Sequence, residues 1–139
     1  MIYGVGTDLI EIKRVERVLA RFGERFAQRI LCEPELKRFR AHKQPVSYLA
    51  KRFAAKEAFT KALGTGIHAP ANWHGVWVKN LPSGKPTMKL TGGAADRLAA
   101  ITPPGMTAQI DLTITDDGPQ AQAFVIISAL PAGVAGPHG

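Results

Sequence analysis

The opening of the chain alternates between apolar residues and small or polar ones, which predicts a short β-strand over residues 2–8. Gly4 and Gly6 fall on the same side of this strand, so we expect another part of the protein to approach its backbone closely there. Apolar residues then recur at helical spacing from Ile12 onward. This spacing predicts a first helix that stops at Gly23.

The longest helical segment contains residues 51–61, which are rich in Ala and include no Gly or Pro. We expect this central helix to begin near Ser47 and to end at Gly64, because these residue types favour helix caps. Glu57 and Lys61 are spaced i, i+4 and therefore share one face. They form either an ordinary stabilising surface pair or, because small residues flank them, a site with room for a further group to bind beside them.

Charged residues also fall on the apolar side of the central helix. At about 100° per residue, one arc of the helix carries four large apolar residues: Leu49, Phe53, Phe59 and Leu63. Arg52 and Lys56 lie within or beside this arc, which distinguishes the segment from an ordinary surface helix.

The remaining segments predict helices in the first half of the chain and strands in the second. In chain order they are helices over 24–31 and from Pro34 to about His42, strands over 75–80 and 87–90 around a tight turn, a short helix over 93–101, and strands over 107–115 and 121–130. This order indicates an α+β fold with an antiparallel sheet packed against the central helix. We expect a single domain over residues 1–130 and a flexible tail over residues 131–139.

Composition narrows the class of protein without indicating a function. The chain has 139 residues, of which 45% are hydrophobic, and this fits one globular domain. No apolar run approaches the length of a membrane span and no signal peptide is recognisable, so we expect a cytoplasmic protein without a membrane partner. Cys32 is alone, and we expect a small core residue rather than a nucleophile. The four His residues show no metal-ligand spacing.

Positive charge dominates the chain and favours an anionic partner, which could be a nucleic acid, an acidic protein or a phosphate-bearing ligand. The net charge is +7 and the isoelectric point is about 9.9. Five arginines lie on one side of the first two helices: Arg14, Arg17, Arg21, Arg25 and Arg29. They form either a solvated face or a docking surface for carboxylates or phosphates, which Arg binds through two parallel hydrogen bonds.

Asp8 has two interpretations. Followed by Glu11, it fits the N-terminal cap of the first helix. Alternatively, Asp8 and Glu57 could hold one Mg²⁺, which prefers oxygen ligands and keeps waters for substrate phosphates, with Lys61 placed to neutralise a pyrophosphate. The segment Gly64-Thr65-Gly66 is similarly either a helix cap or a set of backbone N–H groups that could bind a phosphate.

Three separated segments of the chain resemble the holo-acyl-carrier-protein synthase family, the small trimeric class of 4′-phosphopantetheinyl transferases. They are IYGVGTDLIEI (2–12), RFAQRIL (25–31) and RFAAKEAFTKALGTGI (52–67), with Gly84-Lys85-Pro86 further along the chain. The resemblance covers about residues 1–130. It implies the 4′-phosphopantetheinyl transferase fold and a homotrimer with its site between protomers.

The resemblance also implies a reaction. The enzyme would move the phosphopantetheine arm of coenzyme A onto a Ser of apo-acyl carrier protein, in fatty acid biosynthesis, and would release adenosine 3′,5′-bisphosphate. Asp8 and Glu57 would bind Mg²⁺ on the coenzyme A pyrophosphate, and Lys61 would contact that pyrophosphate and protonate the leaving group. Glu57, or a metal-bound water, would take the Ser proton. Positioning and charge neutralisation would supply most of the catalysis.

Two further groups of residues receive roles from the resemblance. Coenzyme A would be held by Arg52, Lys61, Gly64, Thr65, Gly66, Gly84, Lys85, Pro86 and Thr115. The acidic acyl carrier protein would be steered and docked by Arg14, Arg21, Arg25 and Arg29.

One residue departs from the family pattern. After the penultimate strand many members carry Ser-X-Ser/Thr-His, whereas Asp116 stands in the His position here, directly after Thr115. A carboxylate cannot donate a hydrogen bond to a phosphate at neutral pH, and its charge opposes one. The part that this segment plays in coenzyme A binding is therefore left open.

Two other functions are compatible with the charge pattern. A nucleic-acid-binding module would explain the isoelectric point, but the chain has no RNA-recognition aromatic motif or zinc spacing, and we expect no nucleic-acid partner. A non-catalytic adaptor for an acidic protein would explain the arginines. It would not explain the presence of Asp8, Glu57 and Lys61.

Overall fold

Helices dominate the first half of the chain and strands the second. The structure is a computed structural model that describes residues 1–133. Its elements are β1 (Ile2–Glu11), α1 (Ile12–Phe22), α2 (Glu24–Ile30), α3 (Glu33–Ala41), α4 (Pro45–Leu63), a 3-10 turn (Trp73–Gly75), β2 (Val76–Asn80), β3 (Pro86–Leu90), α5 (Gly92–Ile101), β4 (Met106–Asp117) and β5 (Gln120–Pro131). The predicted α+β architecture is confirmed.

The core lies between α4 and one face of an antiparallel sheet. The sheet has three strands in the order β1-β5-β4, and β2 and β3 form a separate hairpin. Alternate residues of the middle strand β5 are buried beneath α4: Ala121, Ala123, Val125, Ile127 and Ala129. Because side chains alternate along a strand, the residues between them point to the opposite face of the sheet.

Two glycines allow α4 to lie directly on the backbone of β1. A Cβ on Gly6 would lie 1.9 Å from the carbonyl oxygen of Ala58, and one on Gly4 would lie 2.5 Å from that of Ala62. Both distances exclude any side chain, which confirms the expected close approach at this strand. The small residues Ala58 and Ala62 therefore accommodate β1 itself, and this packing brings Asp8 to the side of the helix that carries Lys61.

The capping interpretation of Asp8 is wrong. Asp8 lies inside β1, where it pairs with Ala123, and the strand continues three residues further than predicted. Helix α1 begins after Glu11, and no side chain caps it. Asp8 is therefore free of the capping role that competed with metal binding.

The central helix begins earlier than predicted and ends where predicted. It starts at Pro45 rather than near Ser47, because proline is tolerated in a first helical turn that lacks internal N–H partners. It ends at Gly64, whose φ of 82° lies in the left-handed region that favours glycine. Among the described residues, neither this helix nor any other is long and apolar enough to cross a membrane.

The last strand extends slightly beyond the predicted domain. β5 includes Pro131, the first residue of the predicted tail. Residues 134–139 lie outside the described part of the chain. The flexible tail therefore stays a prediction.

Candidate active site

Three of the predicted site residues meet where β1 crosses α4. Strand alternation places Asp8 on the same face of β1 as Gly4 and Gly6, which is the face that contacts the helix. The ammonium of Lys61 donates hydrogen bonds to Asp8 Oδ1 at 3.1 Å and to the carbonyl oxygen of Thr7 at 3.2 Å. Sequence patterns do not show this contact, which depends on the glycine-lined crossing.

Glu57 shares this site with Asp8. Burial raises the pKa of Glu57 above its ordinary value, and the Asp8 carboxylate raises it further, while Lys61 and His68 act in the opposite direction. Two neighbouring carboxylates repel one another and favour the binding of a proton or a cation between them. The Lys61 ammonium supplies only part of the charge that would balance them.

The donor set fits Mg²⁺. Within residues 1–133, no group of three or more His, Cys, Asp or Glu side chains is placed to hold a metal. Mg²⁺ does not require such a cage, because it usually binds through one or two carboxylates and completes its shell with waters and substrate phosphates. Asp8 and Glu57 could supply those carboxylates.

Arg52 lies apart from this site, at a basic cleft near the start of α4. Its guanidinium stacks over the ring of Tyr48, with 4.8 Å between the guanidinium carbon and the ring centroid. Arg52 Nε and Tyr48 Oη are buried, and neither has a hydrogen-bond partner among the described residues. The cleft has a volume of about 410 Å³ and is lined by Arg38, Ala41, His42, Tyr48, Lys51, Arg52 and Asn80. Several cationic groups and unpartnered donors suit it to an anion.

Asp116 contacts the first turns of α4 beside this cleft. Its carboxylate accepts a hydrogen bond from Ser47 Oγ at 3.2 Å and lies 4.0 Å from Lys51 Nζ. Asp116 therefore reduces the positive charge at one side of the cleft. A His at this position would instead add a donor.

The backbone amides of the Gly64–Gly66 segment are not free. The N–H of Gly64 donates to the carbonyl oxygen of Lys61, and the N–H groups of Thr65 and Gly66 both donate to that of Thr60. These bonds close the end of α4, as the helix-cap interpretation of this segment predicts, and leave these amides unavailable to a phosphate. A role of this segment in coenzyme A binding stays a prediction.

Two other predicted ligand-binding positions lie on the far side of the sheet. Lys85, in the turn between β2 and β3, donates from Nζ to Asp111 Oδ1 on β4 at 3.1 Å. Thr115 is level with Leu9 in the sheet register, and both point to the face opposite Asp8. Since β5 separates β1 from β4, a single chain does not bring these positions beside Asp8.

The basic face is exposed, as its sequence pattern indicates. The four predicted docking residues are exposed on α1 and α2: Arg14, Arg21, Arg25 and Arg29. In the last turn of α1, the guanidinium of Arg21 lies over the ring of Phe22, whose exposed fraction is 54%. This surface thus combines positive charge with an exposed aromatic ring.

The sequence reasoning missed a buried ion pair. Lys56 Nζ lies 2.6 Å from Glu35 Oε1, and the two side chains are 0% and 2% exposed. Burial lowers the pKa of Lys56, while Glu35 acts in the opposite direction. The available signal was the place of Lys56 beside the apolar arc, where an ammonium requires a partner.

Cys32 lies next to this pair and is unsuited to nucleophilic chemistry. Burial, followed by the charge of Glu35, raises the pKa of Cys32 to about 11. The thiol is therefore protonated at neutral pH, and the thiolate is the nucleophilic form. This agrees with the expectation that Cys32 is not a nucleophile, but the expectation of a core residue is wrong, because Cys32 is only partly buried.

Comparisons with known proteins identify the family. The family model for the 4′-phosphopantetheinyl transferase superfamily matches residues 4–114. A holo-[acyl-carrier-protein] synthase of Rhodopseudomonas palustris (strain HaA2) is 58% identical over 140 aligned positions, covering 98% of this chain and 99% of the relative. One of Caulobacter sp. (strain K31) is 55% identical over 132 positions, covering 95% and 99%.

Solved structures give the same result. The crystal structure of holo-[acyl-carrier-protein] synthase from Neisseria meningitidis has a TM-score of 0.83 and 39% identity, and the match covers 92% of this chain and 99% of that one. The Helicobacter pylori synthase in complex with coenzyme A has a TM-score of 0.74 and 27% identity, with 89% and 99% covered. The chain therefore belongs to the holo-[acyl-carrier-protein] synthases of the 4′-phosphopantetheinyl transferase superfamily.

Proposed function

We propose that this protein transfers the 4′-phosphopantetheine group of coenzyme A to a serine of apo-acyl carrier protein, with Mg²⁺ as cofactor, in the cytoplasm and for fatty acid biosynthesis. The observation that carries the proposal is the convergence of Asp8, Glu57 and Lys61 at the glycine-lined crossing of β1 and α4. Relatives of more than half identical sequence carry the name of this enzyme.

The three residues have complementary roles in this reaction. The serine oxygen forms a bond to the phosphorus that bears pantetheine, and the bond from that phosphorus to the oxygen of adenosine 3′,5′-bisphosphate breaks. Glu57 would accept the serine proton as the general base. Lys61 contacts the diphosphate and gives a proton to the leaving phosphate. Asp8 and Glu57 would hold Mg²⁺, which would supply charge neutralisation at the diphosphate.

We further propose that the basic cleft binds a phosphate of coenzyme A. The positively charged side chains of Arg38, Lys51 and Arg52 line the cleft and support this, because they offer charge to an anion. Asp116 opposes such binding on one side of the cleft. The turn that contains Lys85 would contact the remainder of the cofactor.

We propose that the active protein is a homotrimer with its site between protomers. The outer face of the sheet carries exposed apolar side chains, among them Val5, Leu9 and Phe124, and exposed apolar patches of this kind favour association. A neighbouring chain could also bring a second Thr115 and Lys85 to the Asp8 site, which one chain does not do. Sedimentation of the wild type should give a trimer and that of Phe124→Glu a smaller species; a monomeric, fully active wild type would refute this assembly.

Mass spectrometry of an apo-acyl carrier protein tests the transfer itself. Incubation with the protein, coenzyme A and Mg²⁺ should add the mass of one phosphopantetheine group to the carrier, and adenosine 3′,5′-bisphosphate should appear in equal amount. EDTA should stop the reaction and excess Mg²⁺ should restore it. A carrier of unchanged mass under conditions in which a known synthase modifies it would refute the proposed activity.

A further inference from the structure

Lys56 and Glu35 form a network of buried polar contacts outside the site proposed for the reaction. The ammonium of Lys56 donates three hydrogen bonds: to Glu35 Oε1 at 2.6 Å, to the carbonyl oxygen of Ile30 at 2.7 Å and to that of Trp73 at 2.9 Å. An ammonium has three protons, so every donor is used. Lys56 therefore has no free proton for a substrate, and its role must be exerted through its neighbours.

Glu35 extends the network to two more backbone groups. Its Oε1 also accepts a hydrogen bond from the N–H of Cys32 at 3.1 Å, and its Oε2 accepts one from the N–H of Val78 at 3.2 Å. The pair thus links α4 to the end of α2, the start of α3, the 3-10 turn and strand β2.

The elements tied by this network carry groups that the proposed reaction uses. Lys56 directly precedes Glu57 on α4. Helix α2, which ends at Ile30, carries Arg25 and Arg29, and the β2–β3 hairpin carries Lys85. Helix α2 has only seven residues, and just Ala27 and Ile30 of them are buried. So short a helix has little apolar area to hold it in place, and the contact from Lys56 to its last residue is correspondingly important.

The physical cost of the pair indicates a role beyond stability. Burying two charges requires their desolvation, and replacing a buried ion pair by apolar residues of similar size is often neutral or stabilising. A sealed, directional network instead fixes the relative position of the elements that it joins.

We infer that Lys56 and Glu35 are positioning residues that hold helix α2 and the β2–β3 hairpin in a fixed relation to Glu57. The inference rests on the proposed function for its consequence: the pair aligns the carrier-protein docking arginines with the reacting groups. It concerns the arrangement of the two substrates and not the chemical step.

The test replaces the pair by an apolar one. The double variant Lys56→Met with Glu35→Met removes both charges together, so that neither is left buried and unpaired. The matched control, Glu33→Met with Lys37→Met, makes the same substitutions at exposed positions of α3. Urea unfolding of all three proteins identifies any difference in global stability.

Two measurements then separate positioning from stability. Hydrogen exchange of the α2 amides should be about tenfold faster in the core double variant than in the wild type at matched global stability, and unchanged in the control. The KM for carrier protein should rise about tenfold or more, because small misplacements of docking groups are costly, while the KM for coenzyme A rises less. Normal α2 exchange together with a normal carrier KM would overturn the inference.

A second variant keeps the test decisive if the double variant does not fold. Glu35→Gln retains an oxygen acceptor for Lys56 but removes its counter-charge, so its exchange rates are compared with those of the wild type at matched global stability. The side-chain nitrogen of Gln, unlike Oε2 of Glu35, cannot accept the N–H of Val78. Exchange should accelerate in the β2–β3 hairpin and stay normal in α2, and acceleration in neither element would contradict the inference. Absence of transfer by the wild type would refute the proposed function alone, since hydrogen exchange would still decide whether the pair fixes α2 and the hairpin.

Discussion

Helix α4 carries two lysines, five residues apart, each of which forms an ion pair with a carboxylate from another element. The two pairs differ in burial and in their surroundings. In the pair of Lys56 and Glu35 the side chains are 0% and 2% exposed, and the nitrogen lies 2.6 Å from the oxygen. In the pair of Lys61 and Asp8 they are 49% and 16% exposed, at 3.1 Å. The first pair faces the core and the second faces solvent beside the sheet.

The difference shows how one helix separates structure from chemistry. The sealed pair, Lys56 with Glu35, has partners for all three ammonium protons, so it can only hold its surroundings in place. The open pair, Lys61 with Asp8, lies near Glu57. The single charge of Lys61 does not balance both carboxylates. Because the carboxylate charges are not fully balanced and solvent reaches the site, the open pair is the one that can bind a cation and a diphosphate.

The largest expected effect is a loss of activity when Glu57, the second carboxylate beside Lys61, is replaced. Glu57→Gln keeps the size of the side chain but removes its charge, and we expect transfer to fall on the order of 10²–10³-fold with little change in stability. A carrier-modification assay and urea unfolding measure the two quantities. The control is Glu16→Gln on the exposed face of α1, which should behave like the wild type. Near-normal turnover of Glu57→Gln at saturating Mg²⁺ would remove its assigned role.

A similar loss of activity is expected at Asp8, with a comparison of two replacements. Because the structure excludes a capping role, both Asp8→Asn and Asp8→Ala should lose transfer by orders of magnitude. Their melting temperatures in metal-free buffer should nevertheless stay close to that of the wild type, since the loss of the contact with the half-exposed Lys61 is offset by the loss of the repulsion between Asp8 and Glu57. An active Asp8→Asn enzyme would show that this carboxylate does not bind the metal.

The sealed pair should reverse this pattern. Lys56→Met leaves Glu35 as an uncompensated buried charge, and we expect the free energy of unfolding to fall by about 3–5 kcal/mol. The matched change in the open pair, Lys61→Met, should lower it by less, because Asp8 is 16% exposed and keeps contact with water whereas Glu35 is 2% exposed. Urea unfolding of both variants makes the comparison. Equal losses of stability would mean that the two pairs do not differ as described.

The smallest effect is expected for the arginines of the basic face, whose charges are exposed but distant from the reacting groups. Arg14→Ala and Arg21→Ala should raise the KM for carrier protein a few-fold and leave that for coenzyme A nearly unchanged. The effect should shrink as salt is added, because exposed charges mainly steer the encounter. Lys37→Ala, on the exposed face of α3, is the control. An equal rise of both KM values would argue against a separate docking surface.

Local patterns predicted the elements of this fold well. The glycines at positions 4 and 6 indicated a close approach, and Gly64 marked the end of α4, because each is a local backbone requirement. The first strand was predicted to stop at Asp8, a residue type that is rare in strands. It continues because pairing with β5 as far as Glu11 outweighs that preference.

Contacts between distant segments were harder to predict. The convergence of Asp8 with Glu57 came from the family resemblance and not from spacing, which gives no information on how a strand and a helix pack. Glu35 stands in the first turn of α3, where acidic residues are common, although it is buried against Lys56. Its partner lies 21 residues away, and no local pattern specifies that distance.

The central claim, that Asp8 and Glu57 form a cation site, is tested most directly by metal binding. Mn²⁺ can replace Mg²⁺ as a paramagnetic probe, and electron paramagnetic resonance reports the free ion during a titration in the presence of coenzyme A. We expect saturable binding to the wild type and to Glu16→Gln, and binding at least about tenfold weaker to Asp8→Asn and Glu57→Gln, because each lacks a charged oxygen ligand. Equal Mn²⁺ affinity in the wild type and in both site variants would contradict the account.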